Sequence, residues 1–381
     1  MQFSGSGALV AIDLPGGQAF IDAVQRCWDA GAAVLPLGPS LPRQWRDQLI
    51  ESLCPTHVIA EEHSAPEAIP HGQPAEPGDA LVIATSGSTG APKGVVLTHD
   101  ALGAGARASA RRLGADRHAT WLACLPLHHI GGFSVLTRAW TTQARLVVHD
   151  GFDVAAVDRA ARQGATHTSL VPTALRRIDP TRFDTILLGG SSIPTDRPTN
   201  TVATYGMTES GAGVVYDGIP LDGVVVRIDP TDSVIELRSP TLLRCYRDGS
   251  TPVGPDGWYR TGDLGHLDPG DDDRLVVQGR ADEMIITGAE KVWPTAVEAR
   301  LLEHPGVSDV AAIGVPDPEW GQRVVALLVA TDPANPPTLA ELRDHVKATL
   351  PPAAAPKELR LVSALPRTAL GKLRRRELPA T

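Results

Sequence analysis

Between Ala84 and Thr98 the chain reads A-T-S-G-S-T-G-A-P-K-G-V-V-L-T. Thr85, Ser86, Ser88 and Thr89 are interleaved with Gly87 and Gly90, and Lys93 stands between Pro92 and Gly94. With side chains this small, successive N–H groups and hydroxyls can converge on an anion, and Lys93 adds a full positive charge. Such a stretch is suited to cradle phosphate. It is not the Walker A loop, in which G-x-x-x-x-G-K-[ST] opens a helix. Here Lys93 precedes a glycine and a β-branched run, so the spacing predicts strand, tight loop and strand.

Other stretches could do complementary chemistry. T-Y-G-M-T-E-S, from Thr204 to Ser210, offers an aromatic plate in Tyr205, a joint at Gly206, a hydroxyl in Thr208 and a hard oxygen donor in Glu209. W-Y-R-T-G-D-L-G, from Trp258 to Gly265, places Asp263 in a tight turn, where a carboxylate can hold two vicinal hydroxyls. Gly189 and Gly190 end an apolar run; they could admit a flat ring or simply make a turn. In L-P-L-H-H-I-G-G-F, the adjacent His128 and His129 would face opposite sides of a strand and would not chelate one metal. Gly131 and Gly132 would permit a planar group to approach the backbone. Phe133 could stack on such a group or pack in the core. Asp282 reads as an acidic turn residue or as something more specific. Lys372 follows Gly371 in a basic, Pro- and Gly-marked tail that by itself reads as a solvated face.

T-S-G-S-T-G-x-P-K-G resembles the phosphate-loop signature of the adenylate-forming enzymes, which include acyl- and aryl-CoA synthetases, stand-alone adenylation domains and luciferases. T-Y-G-M-T-E-S, Y-R-T-G-D-L, G-R-A-D-E-M-I-I-T-G and P-R-T-A-L-G-K resemble further motifs of that family. The resemblance implies ATP and Mg2+ as cofactors and coenzyme A as co-substrate. It gives the phosphates to Thr85–Gly90 and Lys93, adenine to Gly189, Gly190 and Tyr205 with Gly206 beside them in the nucleotide site, the α-phosphate to Thr208 and Mg2+ to Glu209. Asp263 receives the ribose, Arg280 the ribose or a phosphate, and Lys372 reaches the site during adenylation. His129 lines the acid pocket, with Gly131, Gly132, Thr173 and Ser191 as further acid-site candidates. Asp282 falls on the hinge, and Gly288 on the loop that serves thioester formation. The stretch V-Y-D-G-I-P-L-D-G-V-V-V-R-I and the segment around His129 resemble the branch of menaquinone synthesis, whose acid carries an aromatic ring, a ketone and two carboxylates. Gly131 stands where some of those relatives have serine. Another aryl or fatty acid, or a carrier protein in place of CoA, stays open.

The elements that must position these residues follow from length and pattern. At 381 residues the chain can bury a large core and hold two domains. Ala8–Ile12 reads as a strand, Gln18–Ala30 as an amphipathic helix, Ala32–Leu37 as a strand and Trp45–Leu53 as a helix, which predicts a parallel sheet covered by helices. The segment from Glu61 to Asp79 reads as a surface linker. The fold class is therefore α/β. The resemblance implies a large N-terminal domain over 1–281, shortened at its N-terminus, and a small α+β lid over 282–381.

Net charge is −9, which argues against nucleic acid as a partner. No apolar run approaches the roughly 18 residues of a membrane span, and the start shows no secretory signal. Cys27, Cys54, Cys124 and Cys245 are scattered without metal or disulfide spacing, so a reducing cytoplasm is the expected home. Only five lysines stand beside thirty arginines, and two of them, Lys93 and Lys372, lie in glycine-containing motifs. The expected partners are a small carboxylic acid, ATP and CoA; a homo-oligomer is left open.

Overall fold

The computed structural model describes residues 7–38, 41–86, 92–190, 193, 196–367 and 373–379, without the side chains of Ser86 and Arg376. It divides into two compact units, Met1–Val225 with Leu237–Tyr259, and Val226–Glu236 with Arg260–Thr381.

The first unit holds two seven-stranded sheets. One runs in the order Cys245–Tyr246, Pro92–Thr98, Asp79–Ser86, Ala33–Pro36, Leu9–Ile12, His57–Ile59, Glu67–Ala68. Leu9–Ile12 and Ala33–Pro36 are buried throughout and pair in parallel, which is why they read as unbroken apolar runs. Helix Gln18–Asp29 covers them with Phe20, Ile21, Val24 and Cys27 on its buried stripe. The expected parallel pairing holds for these strands, while the sheet as a whole is mixed. Asp79–Ser86 returns directly as Pro92–Thr98 in an antiparallel hairpin, a connection too short for a crossover helix. The supposed linker also contributes a short strand, Glu67–Ala68, paired with His57–Val58.

The other sheet runs in the order Ile219–Pro220, Ala212–Tyr216, Thr201–Met207, Thr185–Leu188, His167–Leu170, Thr120–Ala123, Arg145–Val148. Helix His99–Leu113 starts where Thr98 accepts the Ala101 N–H at 3.1 Å and stops at left-handed Gly114. Helix Ile130–Thr142 follows strand Thr120–Ala123 and buries Phe133, so the core reading of that ring holds.

The second unit contains most of a four-stranded sheet, ordered Val225–Ile228, Val234–Arg238, Tyr259–Asp268, Arg274–Arg280. It also holds the sheet Glu290–Val292, Ile285–Thr287, Gly321–Ala330, Val307–Asp317, with Glu358–Leu361 parallel to Gly321–Ala330. Val297 and Leu301 of helix Pro294–Leu302, and Leu342 and Val346 of helix Leu339–Lys347, close that core against Val310, Val324 and Leu328. The strands bearing Asp263 and Arg280 thus cluster with the C-terminal segment. Among the described residues no helix is long and apolar enough to cross a membrane.

Candidate nucleotide and acid site

The phosphate stretch runs from the end of strand Asp79–Ser86 to the start of strand Pro92–Thr98. Thr85 lies opposite Lys93 in the antiparallel register, and its hydroxyl donates to the Lys93 carbonyl at 3.3 Å. Ser86 lies opposite Pro92; Gly87, Ser88, Thr89 and Gly90 lie outside the described residues. The Lys93 ammonium stands 4.9 Å from the ring centroid of Tyr246. The Tyr246 hydroxyl in turn donates to Glu209 Oε1 at 3.1 Å. One aromatic side chain therefore touches both the basic residue of the first motif and the acidic residue of the second. Sequence reasoning passed over Tyr246, since C-Y-R-D-G carries no signal apart from its ring.

Glu209 sits in the short 3-10 turn Thr208–Ser210 that ends strand Thr201–Met207. Ser210, 1% exposed, fixes this turn: its hydroxyl accepts the Met207 N–H at 2.9 Å and lies within bonding range of the Met207 and Ala212 carbonyls. Left-handed Gly211 then reverses the chain. The main chain of Glu209 is held as well, because its carbonyl accepts the Leu243 N–H at 2.8 Å. A Cβ on Gly206 would stand 2.1 Å from the Ala212 carbonyl, so glycine is required by close strand approach at an irregular register step after Tyr205.

Strands Thr185–Leu188 and Thr201–Met207 are parallel neighbours, so Gly189–Gly190 and Tyr205–Glu209 emerge from the same edge of one sheet. The Thr204 hydroxyl donates to the Leu188 carbonyl at 2.9 Å and would meet a Cβ on Gly189 at 2.7 Å. That edge, at the carboxyl ends of adjacent parallel strands, is where open α/β sheets bind ligands. Thr173 is exposed on the short helix Pro172–Leu175; Ser191 lies outside the described residues.

His128 and His129 do not lie on a strand. They close a turn, with the His129 N–H bonded to the Pro126 carbonyl at 3.1 Å, and His129 caps helix Ile130–Thr142. Their rings consequently pack together, 4.3 Å between centroids, instead of pointing to opposite faces. His128 is wedged against Gly38, where a Cβ would fall 2.5 Å from its Nδ1. Burial lowers both imidazoles to about 4, and repulsion from His128 adds to the effect on His129. Both rings are therefore neutral near pH 7. Gly132 is explained by its own chain, since a Cβ would lie 2.4 Å from the Pro126 carbonyl; Gly131 has only Leu125 Cδ1 near, at 3.8 Å.

The same helix carries a side chain that the motifs did not reveal. Arg138 is 5% exposed, and among the described residues its partners are neutral hydroxyls: Ser109 at 3.0 Å, Ser134 at 3.0 Å and Tyr216 at 3.4 Å. The guanidinium also lies 5.7 Å from the Trp121 ring. A buried charge without a counter-charge is costly.

In the second unit Asp263 and Arg280 face each other across an antiparallel pair, with Arg280 Nη1 3.5 Å from Asp263 Oδ1. Arg280 also donates to Asp282 at 3.2 Å and to the Thr261 carbonyl at 3.2 Å. Asp282 is exposed in the short turn Ala281–Glu283. Gly288 adopts φ +57 in the turn after Ile285–Thr287, where a Cβ would strike the Trp320 ring at 2.7 Å. Lys372 lies outside the described residues. Its flanks are tied down: Arg367 pairs with Leu373 and with Asp309, and Arg375 bonds Glu283 at 2.9 Å and Glu298 at 2.8 Å.

Among the described residues no three His, Cys, Asp or Glu side chains gather as a metal cage. Glu209 alone fits Mg2+, which is usually bound through one or two carboxylates, with phosphates and waters completing its shell.

Comparison with known proteins places these features in a family. The model described as AMP-binding enzyme matches residues 4–231, and that described as AMP-binding enzyme C-terminal domain matches residues 296–372. A Mycobacterium tuberculosis protein named probable 2-succinylbenzoate–CoA ligase is 42% identical over 349 residues, covering 84% of this chain and 89% of that protein. The solved structure of Bacillus subtilis o-succinylbenzoate CoA synthetase with its acyl-adenylate intermediate superposes with a TM-score of 0.86 at 27% identity, covering 98% of this chain and 88% of that one. The same enzyme with ATP and magnesium ion gives a TM-score of 0.84 at 27% identity, covering 98% and 90%. The chain belongs to the adenylate-forming family of AMP-binding enzymes.

Proposed function

We propose that this chain is an AMP-forming acid–CoA ligase whose acid is 2-succinylbenzoate. The observation that carries the reading is the 42% identity, across 84% of the chain, to a protein bearing that activity in its name. Buried Arg138 supports a dicarboxylic acid, because a second carboxylate would supply a counter-charge that it lacks among the described residues. Its guanidinium bonds Ser134, one turn nearer the helix N-terminus that His129 caps, as long helical side chains lean.

The chemistry runs in two steps. Carboxylate and ATP give acyl-adenylate and pyrophosphate; CoA thiol then attacks the mixed anhydride, giving acyl-CoA and AMP. The first step brings one anion to another, so its barrier is electrostatic. Lys93, the loop Thr85–Gly90 and Thr208 hold the phosphates, and Lys372 serves the reacting oxygens. Glu209 would hold Mg2+, whose charge would offset that of the phosphates. Gly189, Gly190 and Tyr205 receive adenine; Asp263, with Arg280 beside it, receives the ribose hydroxyls. Neutral His129, with Gly131, lines the acid side and adds no competing cation. Asp282 serves as pivot, and the Gly288 loop acts in the second step.

The test is CoA-dependent AMP release with a panel of acids. 2-Succinylbenzoate should give the highest kcat/KM, above benzoate and fatty acids. A higher value for any other acid would overturn the substrate, and transfer to a carrier protein in place of CoA would overturn the acceptor.

A further inference from the structure

We infer that Tyr246 is a positioning residue for the nucleotide site: its ring face fixes the Lys93 ammonium and its hydroxyl fixes the Glu209 carboxylate, so that cation and anion are presented side by side instead of neutralising each other. The inference rests on the reading of Lys93 as a phosphate residue and Glu209 as the magnesium residue.

Four observations carry it. Tyr246 makes both contacts at once, 4.9 Å from centroid to Lys93 Nζ and 3.1 Å from hydroxyl to Glu209. Among the described residues no carboxylate stands at ion-pair distance from Lys93; Asp248 acts on it only from farther off, and Glu209 shares Tyr246 with it. The phenol is further oriented by a hydrogen bond with Tyr259, so its proton is directed to Glu209. Finally, the backbone bearing Tyr246 is tied to both clients. Cys245–Tyr246 pairs with Val95–Val96, and Arg247 N–H bonds the Gly94 carbonyl at 2.7 Å, next to Lys93. Leu243 N–H bonds the carbonyl of Glu209 itself.

The physical need is plain. A lysine and a glutamate placed to serve one metal–triphosphate would pair with each other before the nucleotide arrives, and that pair would have to break on binding. An aromatic face attracts the ammonium without discharging it. A neutral phenol donor steadies the carboxylate and leaves its second oxygen for metal.

The experiment uses the full chain and reads binding as well as turnover. Mn2+ affinity in the presence of ATP is measured by electron paramagnetic resonance, and metal-free ATP affinity by calorimetry, for wild type, Y246F, Y246L and E209Q. Thermal melts of each variant check the fold. Y246F keeps the ring and loses the hydroxyl. Its Mn2+ affinity should fall about tenfold, the size of one hydrogen bond to a charged group, while metal-free ATP affinity stays within about twofold. Y246L should weaken both. E209Q should reproduce the metal loss, and adding Y246F to it should cost nothing more. Unchanged Mn2+ affinity in Y246F beside a clear loss in E209Q would overturn the positioning role. Wild-type Mn2+ affinity in E209Q would instead remove Glu209 from the metal site, and the inference would fall with the reading beneath it.

Discussion

Arg244 grips Asp79 through two parallel hydrogen bonds of 2.8 Å each, and Asp79, at the head of the strand leading into the phosphate hairpin, is 4% exposed. This fork ties the segment bearing Tyr246 to the first strand of the hairpin, whose second strand bears Lys93. Removing the guanidinium would leave a buried carboxylate with, among the described residues, the Glu76 N–H as its remaining partner. Arg244→Met is expected to lower the unfolding free energy by about 3 kcal/mol, and adding Asp79→Asn should restore part of the loss. Urea denaturation of the two variants checks both statements; an Arg244→Met protein as stable as wild type would contradict them.

Gly131 and Gly132 are neighbours with opposite demands. Gly132→Ala drives a methyl into the Leu125 and Pro126 carbonyls and is expected to destabilise by about 1–3 kcal/mol, because backbone cannot swing aside. Gly131→Ala has room and lies in the first turn of a helix, so it should be neutral or stabilising by up to about 1 kcal/mol. Thermal melts separate the two, and equal losses would refute the packing account.

The histidine pair predicts a sign for acid sensitivity. Burial holds His128 and His129 at about 4, below the usual 6.5 that they regain on unfolding. Below pH 6.5 the unfolded chain binds protons that the folded chain refuses, so stability present above 6.5 drains away as pH falls toward 4. His129→Gln should lessen the loss between pH 7 and pH 5 by about 1–2 kcal/mol, measured as denaturation free energy against pH. The same loss in wild type and variant would show that His129 titrates normally.

Arg138 predicts a difference between substrates. Arg138→Met should raise KM for 2-succinylbenzoate at least about tenfold, with a smaller change in kcat, because it removes binding common to ground and transition states. A monocarboxylic aryl acid should lose much less. Similar losses for both acids would make Arg138 a packing residue.

Much of this was legible in the sequence because each motif concentrates its chemistry locally. The hairpin, its lysine, the Thr208–Glu209 turn and the cross-strand partners Asp263 and Arg280 are set by residues near in sequence. The antiparallel pairings of His57–Val58 with Glu67–Ala68 and of Cys245–Tyr246 with Val95–Val96 were hidden, since apolar runs record burial and not strand polarity. His128 and His129 were misplaced because a turn into a helix start reads like the end of a strand. Gly132 read as room for a ligand and Gly206 as a joint; each also has a reason in the chain itself, since a Cβ there would meet the Pro126 or the Ala212 carbonyl. Tyr246 and Arg138 were invisible for another reason. Their partners come from distant segments, Lys93 and Glu209 for one and Ser109 and Tyr216 for the other, and no local spacing announces such a meeting.

In the proposed reaction the acid is activated as an adenylate before CoA enters. ATP–pyrophosphate exchange driven by 2-succinylbenzoate without CoA, compared in wild type and Lys372→Ala, measures that step alone. Wild type should exchange without CoA, and Lys372→Ala should exchange about 10²–10³-fold more slowly while still converting supplied acyl-adenylate and CoA to thioester. Exchange that requires CoA, or an equal loss of both half-reactions in the variant, would contradict it.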